Sequence, residues 1–388
     1  MQKLSINKHI APYDSLFTKP TYETFKAFVG HFVESLEQTF TGVSLKADKS
    51  ISAISFFFHE ACWTALELKT KMQQILKNRQ ETSPRKSDMI CVDGSAVAKD
   101  GKTFEAQTKV FDNADKKVVT GYELCAASVV TLTGIKYVFD FLLYTKKEAD
   151  SEGKYQIWIR LLKEVFQKTQ AWLVILDSGF RNQYLLKFII DAKRDFLIRV
   201  LGTSHLIVKN KKKSIPLQKI KKGAPAQIHR SGKTIIRIWE QKGIMKSWAK
   251  LISTEVRIIV VERSGFRKPM FLCTTDMESK PLTIYQNYLR RWKIEELFLE
   301  CKQLLNLEGF RLRKLEAIEK YITSIFVIHN ILTAKLIQLK KLPELFLQIR
   351  AILKKYRKIP ELLLGGLKKL YEMTAQPPLD LKVLFADH

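Results

Sequence analysis

The chain is poor in cysteine, in long apolar runs and in acidic residues, and each shortage removes a class of protein. Its five cysteines, Cys62, Cys91, Cys125, Cys273 and Cys301, are odd in number, scattered, and form no CxxC pair. They support neither a disulfide framework nor a zinc finger, so reduced, mostly buried thiols are expected. The longest apolar stretch, Tyr321 to Thr333, is too short to span a bilayer and contains His329 and Asn330. The opening MQKLSINKHIAPYDS lacks the apolar core of a secretory signal. Membrane embedding is therefore not expected, and a cytoplasmic location is. Gly94, Gly101, Gly179 and Gly223 form no phosphate-loop pattern, which leaves nucleoside triphosphate use without support. The histidines do not cluster; His59 and His329 read as packed residues rather than ligands.

The shortage of acid is the most informative. Against 39 Asp and Glu stand 66 Lys and Arg, a formal net charge of +27. With 46% hydrophobic and 11% aromatic residues, the chain can still bury large cores, so it is not disordered. A folded protein of that charge points to a polyanionic partner, with nucleic acid ahead of an anionic membrane surface.

The hydrophobic pattern divides the chain. Residues 1–80 read as helical, with Phe25, Phe28, Val29, Phe32 and Leu36, and later Leu66, Leu68, Met72, Ile75 and Leu76, at helical spacing. After a polar linker, Met89–Val92 reads as a short buried strand. Two β-rich runs, Thr103–Phe111 and Lys117–Leu132, joined by a turn-like Asp112–Asp115, predict an antiparallel hairpin. A helix is expected over Tyr155–Lys168, a buried strand over Trp172–Leu176, and a helix after it. Residues 193–262 return to β texture, and from about 274 the chain reads as helical to its end. The expected fold class is α/β, with a mixed sheet core, a β insertion and helical flanks.

Three acids stand out. Asp93 follows the first buried strand in Val-Asp-Gly-Ser95, and Asp177 follows the second in Leu-Asp-Ser-Gly-Phe180. The strand-end edge is where ligands bind in open α/β sheets; equally, each Asp alone is a normal turn or helix-cap residue. The third acid lies in Tyr285–Leu307. Taking Tyr288 as zero on a helical wheel, Arg291 falls at about −60°, Glu295 at about −20° and Lys302 at about −40°. Glu296 and Glu300 fall at about +80° and +120°, on another face. The stripe is either an exposed face with an Arg291–Glu295 ion pair or a surface that holds a metal and a phosphate side by side. Two Mg²⁺ ions held by carboxylates would suit phosphodiester cleavage, and Tyr288, Arg291 and Lys302 would then grip phosphates.

The spacing Tyr288, two residues, Arg291, three residues, Glu295, six residues, Lys302 resembles the Y-R-E-K signature of the IS4 family of DDE transposases. Asp93 in VDGS and Asp177 in LDSGF resemble the family's other two acidic motifs, in the same order, and the resemblance is strongest from about 88 to 305. It implies an RNase H-like core, interrupted by a β-rich insertion and flanked by helical N- and C-terminal regions. It implies Asp93, Asp177 and Glu295 as catalytic ligands of two Mg²⁺ ions, with Mn²⁺ as a substitute. It implies cleavage at the terminal inverted repeats of an insertion sequence and strand transfer into target DNA, by a homodimer on paired ends associated with the bacterial nucleoid. The organisation expected is an N-terminal DNA-end-binding region at 1–80, the first part of the core at 85–192, a basic insertion at 193–262, the second part of the core at 263–310 and a C-terminal helical region at 311–388. Two other readings stay open: a catalytically silent DNA-binding derivative, and an RNase H-like structure-specific nuclease.

Between residues 193 and 250, 16 Lys and Arg face only two acids, Asp195 and Glu240. Lys211, Lys212 and Lys213, with Lys209, Lys219, Lys221 and Lys222, form the densest cluster and are expected to contact the DNA backbone.

Overall fold

The computed structural model describes residues 6–338 apart from 36, 37, 48, 100, 102, 113–115, 210–212, 223, 224 and 233. Lys211 and Lys212 of the basic cluster, and residues 339–388 of the expected C-terminal region, lie outside the described residues.

The chain opens with helices α1 (Asn7–Ile10), α2 (Lys19–Glu34), α3 (Phe40–Ala47), α4 (Ile51–His59) and α5 (Ala65–Asn78). Helix starts are legible in the chain: Ser50 caps α4, and Thr64 with Glu67 forms a reciprocal capping box on α5. The apolar positions that recur at helical spacing in α2 and α4 meet in one aromatic cluster. Phe58, fully buried, lies 5.2 Å from Phe28 and 5.0 Å from Phe57, ring centre to ring centre.

Strands β1 (Met89–Ala98), β2 (Thr108–Asp112), β3 (Lys117–Val130) and β4 (Lys136–Tyr144) follow, then α6 (Lys146–Glu152), α7 (Lys154–Lys168), β5 (Leu173–Leu176), α8 (Gln183–Asp191) and β6 (Asp195–Val200). Next come β7 (His205–Ile207), β8 (Ile215–Pro216), β9 (Gln227–Ser231), β10 (Thr234–Met245), β11 (Val256–Arg263) and β12 (Met270–Thr274). Helices α9 (Pro281–Arg290), α10 (Trp292–Leu304) and α11 (Leu315–Gln338) complete the described chain.

The strands form one mixed sheet in the order β2-β3-β1-β5-β6-β12-β11-β10-β7-β8, with β4 also paired to β3 and β9 to β10. The expected hairpin is present as β2 and β3, antiparallel with Thr108 opposite Gly121. Strands β1, β5 and β6 run parallel. Their cores, Met89–Val92, Leu173–Leu176 and Phe196–Ile198, are continuous buried apolar runs, as strands covered on both faces require. Helices α7 and α8 pack on β4 and β6, and α10 and α11 pack on β1 and β4. Helix α11 also meets the N-terminal helices: Tyr321 lies 6.0 Å from Phe28 and 5.8 Å from Phe58, so the hydrophobic core runs without a break from the helices into the sheet.

Three elements differ from the sequence expectation. Strand β1 does not stop at Val92 but continues to Ala98, because antiparallel pairing with β3 carries on after the parallel partner β5 ends. Strand β4 was not expected at all: Tyr137–Tyr144 is largely apolar without alternation, and Asp140 within it is buried against Lys69 at 2.8 Å. The block 193–262 divides between two roles. Its first strand, β6, runs parallel beside β5, and its remaining strands extend the sheet in antiparallel fashion through β12. No helix among the described residues is long and apolar enough to cross a membrane.

Candidate active site

The parallel register brings the two aspartates together. Val92 of β1 pairs with Leu176 of β5 as the last parallel pair, and Asp93 and Asp177 are the next residue on each chain. Adjacent strands lie about 4.8 Å apart, so the two carboxyl-bearing residues leave the sheet edge side by side. Asp93 stays within β1, opposite Ala126 of β3, and its Oδ1 accepts from the Gly94 amide at 2.8 Å. Asp177 opens the turn Ser178–Phe180, and its side chain makes no capping hydrogen bond there.

The third acid arrives on α10. The predicted single helix is two, α9 and α10, meeting at Arg291. The junction is tightened: the Arg291 amide donates to the Tyr288 carbonyl at 3.0 Å, and the Ile294 amide donates to the Arg291 carbonyl at 3.1 Å. Arg291 keeps helical backbone angles, φ −51° and ψ −35°, so the angular stripe survives the junction. Its guanidinium reaches two of the three acids. Nη2 lies 2.5 Å from Glu295 Oε1, and Nη1 lies 3.6 Å from Asp93 Oδ2. The Tyr288 ring, almost fully buried, sits 5.8 Å from the guanidinium carbon.

The charges of all three acids are coupled. Burial pushes the Asp93 carboxyl up to about 7; the Gly94 amide and Arg291 oppose the rise, and Glu295 and Asp177 add to it. Burial works against the charge on Arg291, but Glu295, Tyr288, Asp177 and Asp93 outweigh it and hold the guanidinium firmly protonated. Burial, first of all, also raises the Tyr288 phenol.

Lys302, the last member of the stripe, turns away from this group. Its Nζ donates to the Ala96 carbonyl at 2.6 Å and pairs with Glu308 at 3.0 Å, tying α10 to the far end of β1. Lys213 is exposed and precedes β8, the last strand of the order, after which the Leu217 and Gln218 amides donate back to the Ser204 and Gly202 carbonyls just beyond β6. Lys221 is engaged with Glu262 and lies 5.5 Å from the Trp239 ring.

Two features escaped the sequence reading. Arg199 follows Ile198, which pairs with Leu176, so it stands next in line beside Asp177; it is exposed and its charge reaches Tyr288. The signal was a lone arginine in the apolar run Phe196–Val200. A cleft of about 790 Å³ also opens directly after Asp177, lined by Tyr155, Trp158, Ser178, Arg181, Tyr184 and Trp248 among others. Tyr155 and Tyr184 stack there at 5.4 Å and 23°. These residues come from separate elements, so no local motif announces them.

Carboxylates are the donors a hard divalent cation prefers, and the raised Asp93 reports negative charge gathered in a poorly solvated place, which a cation relieves. In that chemistry the residues fit a divalent ion. As arranged, the cation between them is Arg291, and among the described residues no group of three or more His, Cys, Asp or Glu is disposed to hold a metal.

A mixed α/β sheet carries two aspartates at adjacent parallel strand ends, and a helix brings a glutamate to the arginine that pairs with the first of them. The sequence model of the Transposase DDE domain matches residues 84–331, and the chain belongs to that family. The match spans β1 to most of α11 and includes all three acids. Comparison with curated proteins found no sequence match. Membership implies DNA as the substrate, and the family generally uses divalent metal ions.

Proposed function

We propose that the protein is an insertion-sequence transposase of the IS4 group, which cuts DNA at the terminal inverted repeats of its element and joins the freed 3′-hydroxyl to target DNA. The observation that carries this reading is the convergence of Asp93, Asp177 and Glu295, in that chain order, within the electrostatic reach of Arg291. The Y-R-E-K spacing of Tyr288, Arg291, Glu295 and Lys302 supports the IS4 assignment. The strand order β4-β3-β1-β5-β6, antiparallel on one side of β1 and parallel on the other, supports an RNase H-like core. Strands β7 to β12 then form the insertion between Asp177 and Glu295, which we read as beginning after β6. The helices before residue 80 are assigned to DNA-end binding, and the active form to a homodimer on paired ends.

Asp93, Asp177 and Glu295 would hold two Mg²⁺ or Mn²⁺ ions, which supply Lewis-acid stabilisation of the attacking and leaving oxygens. The remaining work falls to the chain itself. The planar fork of Arg291 suits two oxygens of one phosphate, and the Tyr288 ring beside it limits the planes the guanidinium can adopt. Lys302 holds α10 against β1, which sets the height of Glu295 over the aspartates. Arg199 and Arg181 flank the strand edge and neutralise neighbouring phosphates. The tyrosine-lined cleft after Asp177 takes the DNA strand beyond the bond that is cut, where bases and aromatic rings stack.

The test is cleavage of a labelled insertion-sequence end in Mg²⁺, wild type against Glu295→Ala. Loss of cleavage in the variant is expected. Full cleavage by Glu295→Ala removes Glu295 from the site, and a wild type that binds authentic ends without cutting them favours the silent DNA-binding reading.

A further inference from the structure

Arg291 occupies an unusual position for a phosphate-gripping residue. Both arms of its guanidinium are taken by acids, Glu295 at 2.5 Å and Asp93 at 3.6 Å, and its side chain is only 12% exposed. The carboxyl oxygens it holds belong to the acids that would serve a divalent ion. A guanidinium cannot shed its charge at any ordinary pH, so it leaves those oxygens only by moving. A phosphate diester offers the one thing that draws it off: two oxygens in the same fork geometry as a carboxylate, carrying negative charge. Arg291 stands at the junction between α9 and α10. Its backbone is fixed by the tightened turn, so the exchange needs a change of rotamer and no movement of either helix.

We infer that Arg291 is an internal counter-ion that keeps divalent metal out of the site until DNA arrives, when a DNA phosphate takes the guanidinium and frees Asp93 and Glu295 for the metal. Metal and DNA binding are then positively coupled through one residue, and the coupling is reciprocal. The inference rests on reading the carboxylates as metal ligands, so its test separates the two ideas.

Mn²⁺ binding to the full chain would be followed by the electron paramagnetic resonance of the free ion. The comparison is wild type, Arg291→Gln, Arg291→Lys and Glu295→Gln, each with and without a short duplex, after subtracting the Mn²⁺ held by the duplex alone. Thermal melting confirms that each variant is folded. Without DNA, Arg291→Gln should bind Mn²⁺ roughly tenfold more tightly than wild type, within the usual range of coupling between sites. Arg291→Lys, whose single ammonium cannot span both acids, should fall between them. The duplex should tighten Mn²⁺ binding by wild type and leave Arg291→Gln nearly unchanged. Equal affinity in Arg291→Gln and wild type, with Glu295→Gln still weaker, overturns the exchange and leaves the carboxylate site standing. A Glu295→Gln variant that binds Mn²⁺ as wild type does when the duplex is present overturns both.

Discussion

Lys302 donates to the Ala96 carbonyl and pairs with Glu308, whereas Arg291, on the same stripe, turns to Asp93 and Glu295. Two cations of one motif thus have different tasks, and their variants should separate. Lys302→Met leaves the Ala96 carbonyl without its charged donor. Hydrogen bonds to charged groups contribute about 1.5–3 kcal/mol, and partial exposure brings the expected loss of stability to roughly 1–2 kcal/mol. Urea denaturation measures it, and a change under about 0.3 kcal/mol would mean that the lysine is not a structural tie. The helical wheel put Tyr288, Arg291, Glu295 and Lys302 in one stripe, and that much was legible because helical periodicity is local. The meeting of Arg291 with Asp93 was not, since it depends on the register of β1 against β5 and on how α10 crosses the sheet. Arg199 was missed for the same reason: only the pairing of Leu176 with Ile198 brings it beside Asp177.

Helix α10 has a second polar face, and the sequence separated it correctly from the first. Glu296 and Glu300 hold Lys136 of β4 at 3.1 and 2.7 Å, and Glu300 also meets His329 Nε2 of α11 at 3.0 Å. The partners themselves were invisible, because β4 carries no alternating pattern and His329 reads as one more residue of an apolar helix. Burial disfavours ionisation of Glu300, yet His329 and Lys136 outweigh it, and the carboxyl sits below its ordinary value; Glu296 is lowered likewise, with Lys136 and Lys293 outweighing burial. A lowered carboxyl stabilises the fold above its unfolded value, about 4.3 for Glu, and that contribution is lost as pH falls through the folded value. Urea melts from about pH 6 down to about pH 3 should therefore show an acid-induced loss that Glu300→Gln makes shallower. An identical slope in the variant would remove this cluster from the acid response. The aromatic cluster allows a plainer expectation. Phe58 is fully buried among Phe28, Phe40, Phe57 and Tyr321, so Phe58→Ala should cost about 3–5 kcal/mol. A cost below about 1 kcal/mol would mean the cluster collapses around the gap.

Across the whole molecule, the strand order places β1 and β5, which lead to the two aspartates, third and fourth of ten, and ends on β8, which follows Lys213. The path folds back on itself: the Leu217 amide donates to the Ser204 carbonyl at 2.9 Å and the Gln218 amide to the Gly202 carbonyl at 3.0 Å, so the segment that follows β8 lies against the chain leaving β6. The end of the strand order is thus returned to the neighbourhood of β6, the strand beside β5, which charge counting along the chain could not reveal. Replacing the exposed Lys209, Lys213 and Lys219 with alanine should weaken duplex binding equally for all sequences and lower the slope of log affinity against log salt by roughly 0.9 for each phosphate no longer neutralised. An unchanged slope would take these lysines out of the DNA path. The register of β1 carries a last consequence, of a genetic kind. From Met89 to Ala98 the strand is paired residue by residue with β3, and successive side chains face opposite ways. Loss or gain of a single codon ahead of Asp93 within that stretch would leave the reading frame intact downstream, yet turn the carboxylate to the other face of the sheet. Gene copies should therefore decay through such one-codon length changes as completely as through a stop codon, and a second, compensating length change in the same strand should revive them.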